Sequence, residues 1–203
     1  FAATGGTLFA KLVAALPNVL VLSELHPHSP YSPARVAFRP SDIAHHIRAS
    51  KLPFSSDVAE QSFIASLVAA HNELAKRGTR LIVRDHAHSD FCVPFAGQDS
   101  TLLRLCHEAA IEALPVVTVR HPADSFVSGQ KNKFFKFDLD FATYCSWYHQ
   151  FLDALDAVLI VRYEDMIDDP QEWLERICDA WQLEFSPESV DLFSLYQFCL
   201  RFS

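Results

Sequence analysis

Two groups of residues in this chain have types and spacing suited to one chemistry, the holding of phosphate. The first is Arg120 with Ser128, eight positions further on, in Arg120-His121-Pro122-Ala123-Asp124-Ser125-Phe126-Val127-Ser128. A guanidinium offers a planar fork of donors, and a hydroxyl adds a neutral donor. The second is Thr4-Gly5-Gly6-Thr7-Leu8. Its two glycines let the backbone approach an anion closely, and the helix expected from Thr7 presents unpaired N–H groups and a positive dipole end. The Gly-Lys-Ser/Thr of nucleoside-triphosphatase loops is absent.

Both groups need elements to position them. The apolar run Leu114–Val119 ends in Val116-Val117-Thr118-Val119 and reads as a buried strand. Pro122 stops it, and Asp124 is placed to cap a short helix that carries Ser128 one turn in. Arg120 then lies at the carboxyl end of a strand, the edge where open α/β sheets bind ligands. The strand expectations are Val19–Leu22, Leu81–Val83, Val116–Val119 and Val158–Val161, with a fifth upstream of Phe1. Between them come a helix from Thr7 and a long proline-rich segment, Pro27–Pro53, with a short helix near Ile43–Arg48. A helix follows to about Arg77, opened by a capping box of Asp57 and Glu60 and ended by Gly78. Its inward face is expected to be Ile64, Leu67, Val68, His71, Leu74 and Ala75. Later helices are expected at Leu102–Ala113, Phe141–Leu155 and Gln171–Trp181, the last with Leu174, Ile177, Cys178 and Trp181 facing inward, and another from Ser186-Pro187. Strands alternating with helices predict a single three-layer α/β domain: a parallel sheet of about five strands with helices on both faces.

The phosphate loop, the Arg/Ser pair and Arg162-Tyr163-Glu164-Asp165-Met166, in this order, resemble sulfotransferases that use 3′-phosphoadenosine 5′-phosphosulfate (PAPS), in the bacterial and carbohydrate-acting branch. Leu22-Ser23-Glu24-Leu25-His26-Pro27 adds to the likeness, which runs from about Ala3 to Phe185. The resemblance implies the P-loop-like sulfotransferase fold. It places the 5′-phosphosulfate on Thr4, Gly5, Gly6, Thr7 and Leu8, and the 3′-phosphate on Arg120 and Ser128. Adenosine 3′,5′-bisphosphate would be the product, and a carbohydrate or other small molecule the acceptor. It also implies two candidate bases. Glu24 matches the base of carbohydrate and tyrosyl members. His86, in Arg84-Asp85-His86, matches that of members acting on small alcohols and phenols. The family's cation before the loop is replaced by Ala3, and its Gly- and Arg-rich closing segment has no counterpart before Ser203. The domain is therefore expected to occupy 1–203 without its first strand's start or that segment. A nucleotide-binding pseudoenzyme of the same fold is one alternative; a P-loop-type kinase is another. If the loop needs a cation, Lys11 is nearest in sequence.

Composition bounds the rest. Half of the 203 residues are apolar, enough for one sizeable core, and the net charge of −8 argues against coating nucleic acid. No run is long enough for a membrane span. Five cysteines lie far apart with no CxxC, as expected of reduced thiols in a cytoplasmic protein. His86, His88, Asp90 and Cys92 fall close in sequence, but a polar strand-end loop accounts for them and no metal is expected. Lys131, Lys133 and Lys136, around Phe134 and Phe135, could cover a cofactor or form a solvated helix end. Trp147 and Tyr148 read as core. The oligomeric state is not legible.

Overall fold

The computed structural model describes residues 1–28, 54–92, 99–132, 134–135, 138–155 and 158–196. The expected short helix at Ile43–Arg48, most of the proline-rich segment, Lys133, Lys136 and Cys199 lie outside them.

The chain opens with helix α1 (Gly6–Ala14), whose N-cap is Gly5 at φ 90°. Strand β1 (Val19–Leu25) and helix α2 (Ser56–Ala75) follow, then strand β2 (Arg80–Asp85). Next come the short helix α3 (His88–Phe91), α4 (Thr101–Glu108) and strand β3 (Val116–Val119). Helices α5 (Pro122–Lys131) and α6 (Phe141–Asp153) lead to strand β4 (Leu159–Arg162). The chain then forms α7 (Tyr163–Asp168), α8 (Pro170–Trp181) and α9 (Ser189–Leu192), with a 3₁₀ turn at Phe193–Leu195.

All strand pairing among the described residues is parallel, in keeping with the alternation of elements. β1 pairs with β2, from Val19 opposite Arg80 to Leu25 opposite Asp85. β3 pairs with β4, from Val116 opposite Leu159 to Val119 opposite Arg162. The sheet is thus in two two-stranded pieces, and the expected fifth strand has no counterpart among the described residues. A cavity of about 330 Å³, lined in part by Ile82, Val116, Val117, Val13 and Phe151, lies between β2 and β3.

Burial explains which elements hold. The inward face of α1, with Leu12 and Val13, packs on Val21, Val161 and the α8 residues Leu174, Ile177, Cys178 and Trp181. These four α8 residues are the face expected from its spacing, and Asp169 caps the helix by accepting the Glu172 amide at 2.9 Å. The other side of the sheet rests on Phe91, Tyr148 and Phe151, and on Leu67, Leu102 and Cys106.

Several expectations are corrected. β1 runs through Leu25, so Glu24 lies inside the strand end rather than after it. α2 is capped at Ser55 without a side-chain bond, and Glu60 turns to His28 and Arg104 instead of closing a capping box. His71 and Ala75 are exposed. α4 stops at Glu108, where Ala110 takes φ 54°. α5 begins at Pro122, which suits the first helical position, so Asp124 lies within the first turn and Ser128 in the second. Cys92, Cys106, Cys145 and Cys178 are free thiols. No helix among the described residues is long and apolar enough to cross a membrane.

Candidate active site

The phosphate loop is held from beneath. Thr4 is buried, and its hydroxyl donates to the Phe1 carbonyl at 3.0 Å and lies 3.2 Å from Thr118 Oγ1 on β3. Its side chain therefore fixes the loop, and the groups left for an anion are backbone. Ala3 at φ 60° and Gly5 at φ 90° turn the chain sharply on either side of Thr4. The first intrahelical bond of α1 runs from the Phe9 amide to the Gly5 carbonyl at 3.1 Å. The amides of Gly6, Thr7 and Leu8 precede it and have no acceptor within the helix.

Contact requires glycine at position 5 and makes position 6 tight. A Cβ on Gly5 would collide with the ring of Tyr163. A Cβ on Gly6 would lie 3.2 Å from Arg84 Nε and 3.6 Å from Thr118 Oγ1. Arg84 of β2 thus places its guanidinium beside the loop, the position for which sequence spacing offered only Ala3 or Lys11. Lys11 lies in the last turn of α1, away from the loop.

The Arg120 corner is built on β3, α5, α6 and α7. Tyr148 on α6 accepts the Arg120 amide at 3.0 Å and donates to the Arg120 carbonyl at 3.1 Å. With both main-chain groups satisfied, the side chain is free to extend, and its guanidinium lies 4.6 Å from the centre of the Tyr163 ring. The next residue, Glu164, accepts the His121 amide at 2.8 Å. The Tyr163-Glu164 pair therefore clamps the turn after β3. Ser125 anchors α5 to the loop region, donating to the Ala2 carbonyl at 3.0 Å while 2.5 Å from the Tyr144 hydroxyl. Ser128 is half-buried one helical turn beyond, and its Oγ receives Asn132 Nδ2 at 3.4 Å. No hydrogen bond joins Arg120 to Ser128 among the described contacts.

The candidate bases meet at the ends of β1 and β2. The pairing shifts between Ser23 and Leu25, and Glu24 takes φ 61° at that irregularity. Its Oε1 receives Arg84 Nη1 at 2.6 Å, and its Oε2 lies 3.6 Å from His86 Nε2. Arg84 Nη1 also donates to Ser23 Oγ at 3.2 Å. His86 is 1% exposed and Glu24's side chain 31%. Burial, together with the charges of His26 and Arg84, lowers His86 to about 4, so the ring is neutral near neutral pH. Burial also raises Asp85 to about 6, against the pull of His26.

Sequence reasoning named Glu24 and His86 as candidates but not their contact, and it did not foresee that Arg84, Thr118, Tyr148 and the ring of Tyr163 pack against the candidate segments. Arg84 stood in the quoted Arg84-Asp85-His86, yet nothing local signals that it reaches a loop almost eighty positions earlier.

With this geometry in view, the chain can be assigned. A profile described as the Sulfotransferase family matches residues 3–187, and the chain belongs to that family. Its mixed α/β architecture with short parallel strands agrees with the family's fold, and membership makes it a transferase. No curated protein matches it.

Proposed function

We propose that this protein transfers a sulfuryl group from PAPS to a hydroxyl of a carbohydrate or other small molecule. The observation that carries the reading is the ring of Tyr163, which touches Gly5 of the first anion-binding segment and Arg120 of the second. Two phosphate-holding segments more than a hundred residues apart thus meet at one aromatic side chain, as a donor bearing anions at both ends requires.

The residues fit that donor. A Cβ at Gly5 would displace the Tyr163 ring and one at Gly6 would crowd Arg84, so the bare backbone of the loop keeps both side chains close. The amides of Gly6, Thr7 and Leu8, with Arg84 beside them, suit the 5′ end; Arg120 and Ser128 suit the 3′-phosphate. Bound there, PAPS supplies the sulfuryl group. Arg84 and the helix N-terminus stabilise negative charge at the loop, the preorganised kind of assistance that dominates such transfers. This answers the missing cation at Ala3, and an active enzyme is favoured over a pseudoenzyme of the same fold. Glu24 is the base, taking the acceptor's hydroxyl proton at Oε2. It is accessible where His86 is buried, and a base must reach the proton it removes. His86 then acts as a positioning residue behind Glu24. The four free thiols suit a reducing compartment such as the cytoplasm.

The test is thermal. Adenosine 3′,5′-bisphosphate should raise the melting temperature well above the effect of adenosine 5′-phosphate, since ligand at 100 times its dissociation constant stabilises by about 2.7 kcal/mol. Equal shifts with both nucleotides would remove the 3′-phosphate assignment. Transfer of radiolabelled sulfate from PAPS to hydroxyl acceptors tests the reaction itself, and ATP-dependent labelling in its place would favour a kinase.

A further inference from the structure

From their sequence positions His86, His88, Asp90 and Cys92 could be taken for one ligand set, and the fold separates them. Asp90 is committed to His26, 3.0 Å away, and to the amide and hydroxyl of Thr101, both at 2.8 Å. In its place the structure brings in Glu24, sixty-two positions before His86 and on the neighbouring strand. One donor atom from each of Glu24, His86 and His88 lies within 4.8 Å of the other two.

We propose that Glu24, His86 and His88 form a binding site for a divalent cation of the zinc class. Two imidazole nitrogens and a carboxylate oxygen are the donors such a borderline ion takes in three-ligand sites, with the remaining position left to water. The spacing of Glu24 and His86 fits. Ligands about 2.0–2.1 Å from a tetrahedral ion lie about 3.3 Å from each other, and Glu24 Oε2 and His86 Nε2 are 3.6 Å apart. The histidine rings lie with centroids 3.4 Å apart, closer than the roughly 5 Å of two imidazoles on one tetrahedral ion, so ion binding requires the His88 ring to turn away from His86.

The surroundings are also those of a metal site. His86 Nδ1 lies 2.6 Å from Ser89 Oγ. When that nitrogen donates to the hydroxyl, Nε2 is the ligating atom, and outer hydrogen bonds of this kind orient metal-binding histidines. The carboxylate divides its oxygens in the same way. Arg84 holds Oε1 at 2.6 Å, which leaves Oε2 facing His86. An ion held there occupies the atom assigned above to proton removal, so zinc would inhibit transfer while leaving the nucleotide site open. That consequence rests on the reading of Glu24 as base. The binding itself does not.

The experiment is a titration of the chelator-treated protein with Co²⁺, a coloured stand-in for Zn²⁺, without nucleotide. One equivalent should give an intense visible ligand-field absorption that Zn²⁺ bleaches. His88→Ala should weaken Co²⁺ binding at least tenfold and leave adenosine 3′,5′-bisphosphate binding as it was. Ser89→Ala, which removes no ligand, should weaken it by roughly 10- to 100-fold and serves if His88→Ala does not fold. Absence of the absorption in the wild type overturns the proposal. So does Co²⁺ binding that persists in His88→Ala but disappears in His28→Ala, which would move the ion to the His28–Glu60 contact, 2.6 Å wide. Co²⁺ binding by a protein that neither binds nucleotide nor transfers sulfate would leave the metal site standing and the functional reading fallen.

Discussion

The β1–β2 corner and the β3–β4 corner of this molecule handle charge in opposite ways. At β1–β2, ionisable groups crowd one another: Glu24 on Arg84, His86 against both Glu24 and His88, Asp85 buried behind them. The backbone is strained at Glu24, and titration is displaced in both directions. At β3–β4 the charge that matters is a single guanidinium on an aromatic ring, and its own backbone is fully hydrogen-bonded by Tyr148. The difference agrees with the roles proposed for the two corners. Groups that exchange protons gain from desolvation and from neighbours that shift them. A group that only holds an anion gains from a rigid mount.

The strongest way to break this comparison is Glu24→Gln. Turnover should fall by roughly 10²–10⁴-fold, the usual worth of general-base catalysis, with nucleotide affinity little changed. Initial rates at saturating PAPS and calorimetric titration of the bisphosphate measure the two separately. Unchanged turnover would return the β1–β2 corner to structure alone. Arg120→Ala should do the reverse. A hydrogen bond to a charged group is worth about 1.5–3 kcal/mol, so bisphosphate affinity should drop about 10- to 150-fold. Ser128→Ala should lose only about 2- to 10-fold by the same measurement. Equal losses in both would make the guanidinium an accessory.

Gly5→Ala tests the contact between the corners. Strain at φ 90° and the clash with Tyr163 should together remove about 2 kcal/mol. In a chain of this size that lowers the melting temperature by about 4–8 °C. Bisphosphate affinity should fall with it, because a displaced Tyr163 no longer supports Arg120.

Acid is the gentlest probe. His86 titrates at about 4 when folded, against 6.5 as a free side chain. Between those values the unfolded chain binds more protons, so the stability His86 contributes is complete above 6.5 and lost as the pH falls toward 4. His88, lowered by burial and by His86 to about 2, has the same sign over a wider window. Asp85 has the opposite sign. Raised from 3.8 to about 6, it favours the folded state at low pH and withdraws that support as the pH rises through 6, offsetting part of the loss. Two imidazoles against one carboxyl should leave a net fall in melting temperature from pH 7 to pH 4 in chelator. His88→Asn should make that slope shallower, and Arg120→Ala should leave it unchanged.

How much of this was legible beforehand depends on the range of the interaction. Val116–Val119 was read with its observed bounds, because a run of β-branched residues ended by a charge is a local signal. The inward face of α8 was legible from helical spacing. Family membership was legible through the order of the motifs in the chain. Glu24 was misplaced by a register shift, since a bulge depends on the partner strand and leaves no mark in alternation. His71 was assigned to the core by period alone, and the packing of distant segments leaves it exposed. Arg84 beside Gly6 and Tyr163 beside Gly5 are contacts between distant segments, and no periodicity encodes them.

Glu24 at φ 61° carries a consequence for anyone who would engineer this protein. A left-handed backbone costs a residue with a Cβ about 1–2 kcal/mol, and glycine almost nothing. Libraries screened only for heat tolerance should therefore drift toward glycine or asparagine at this one position and return robust proteins with no turnover. A screen that couples survival to product would keep the acid, and with it the local instability, so any durable variant must find its robustness elsewhere in the chain.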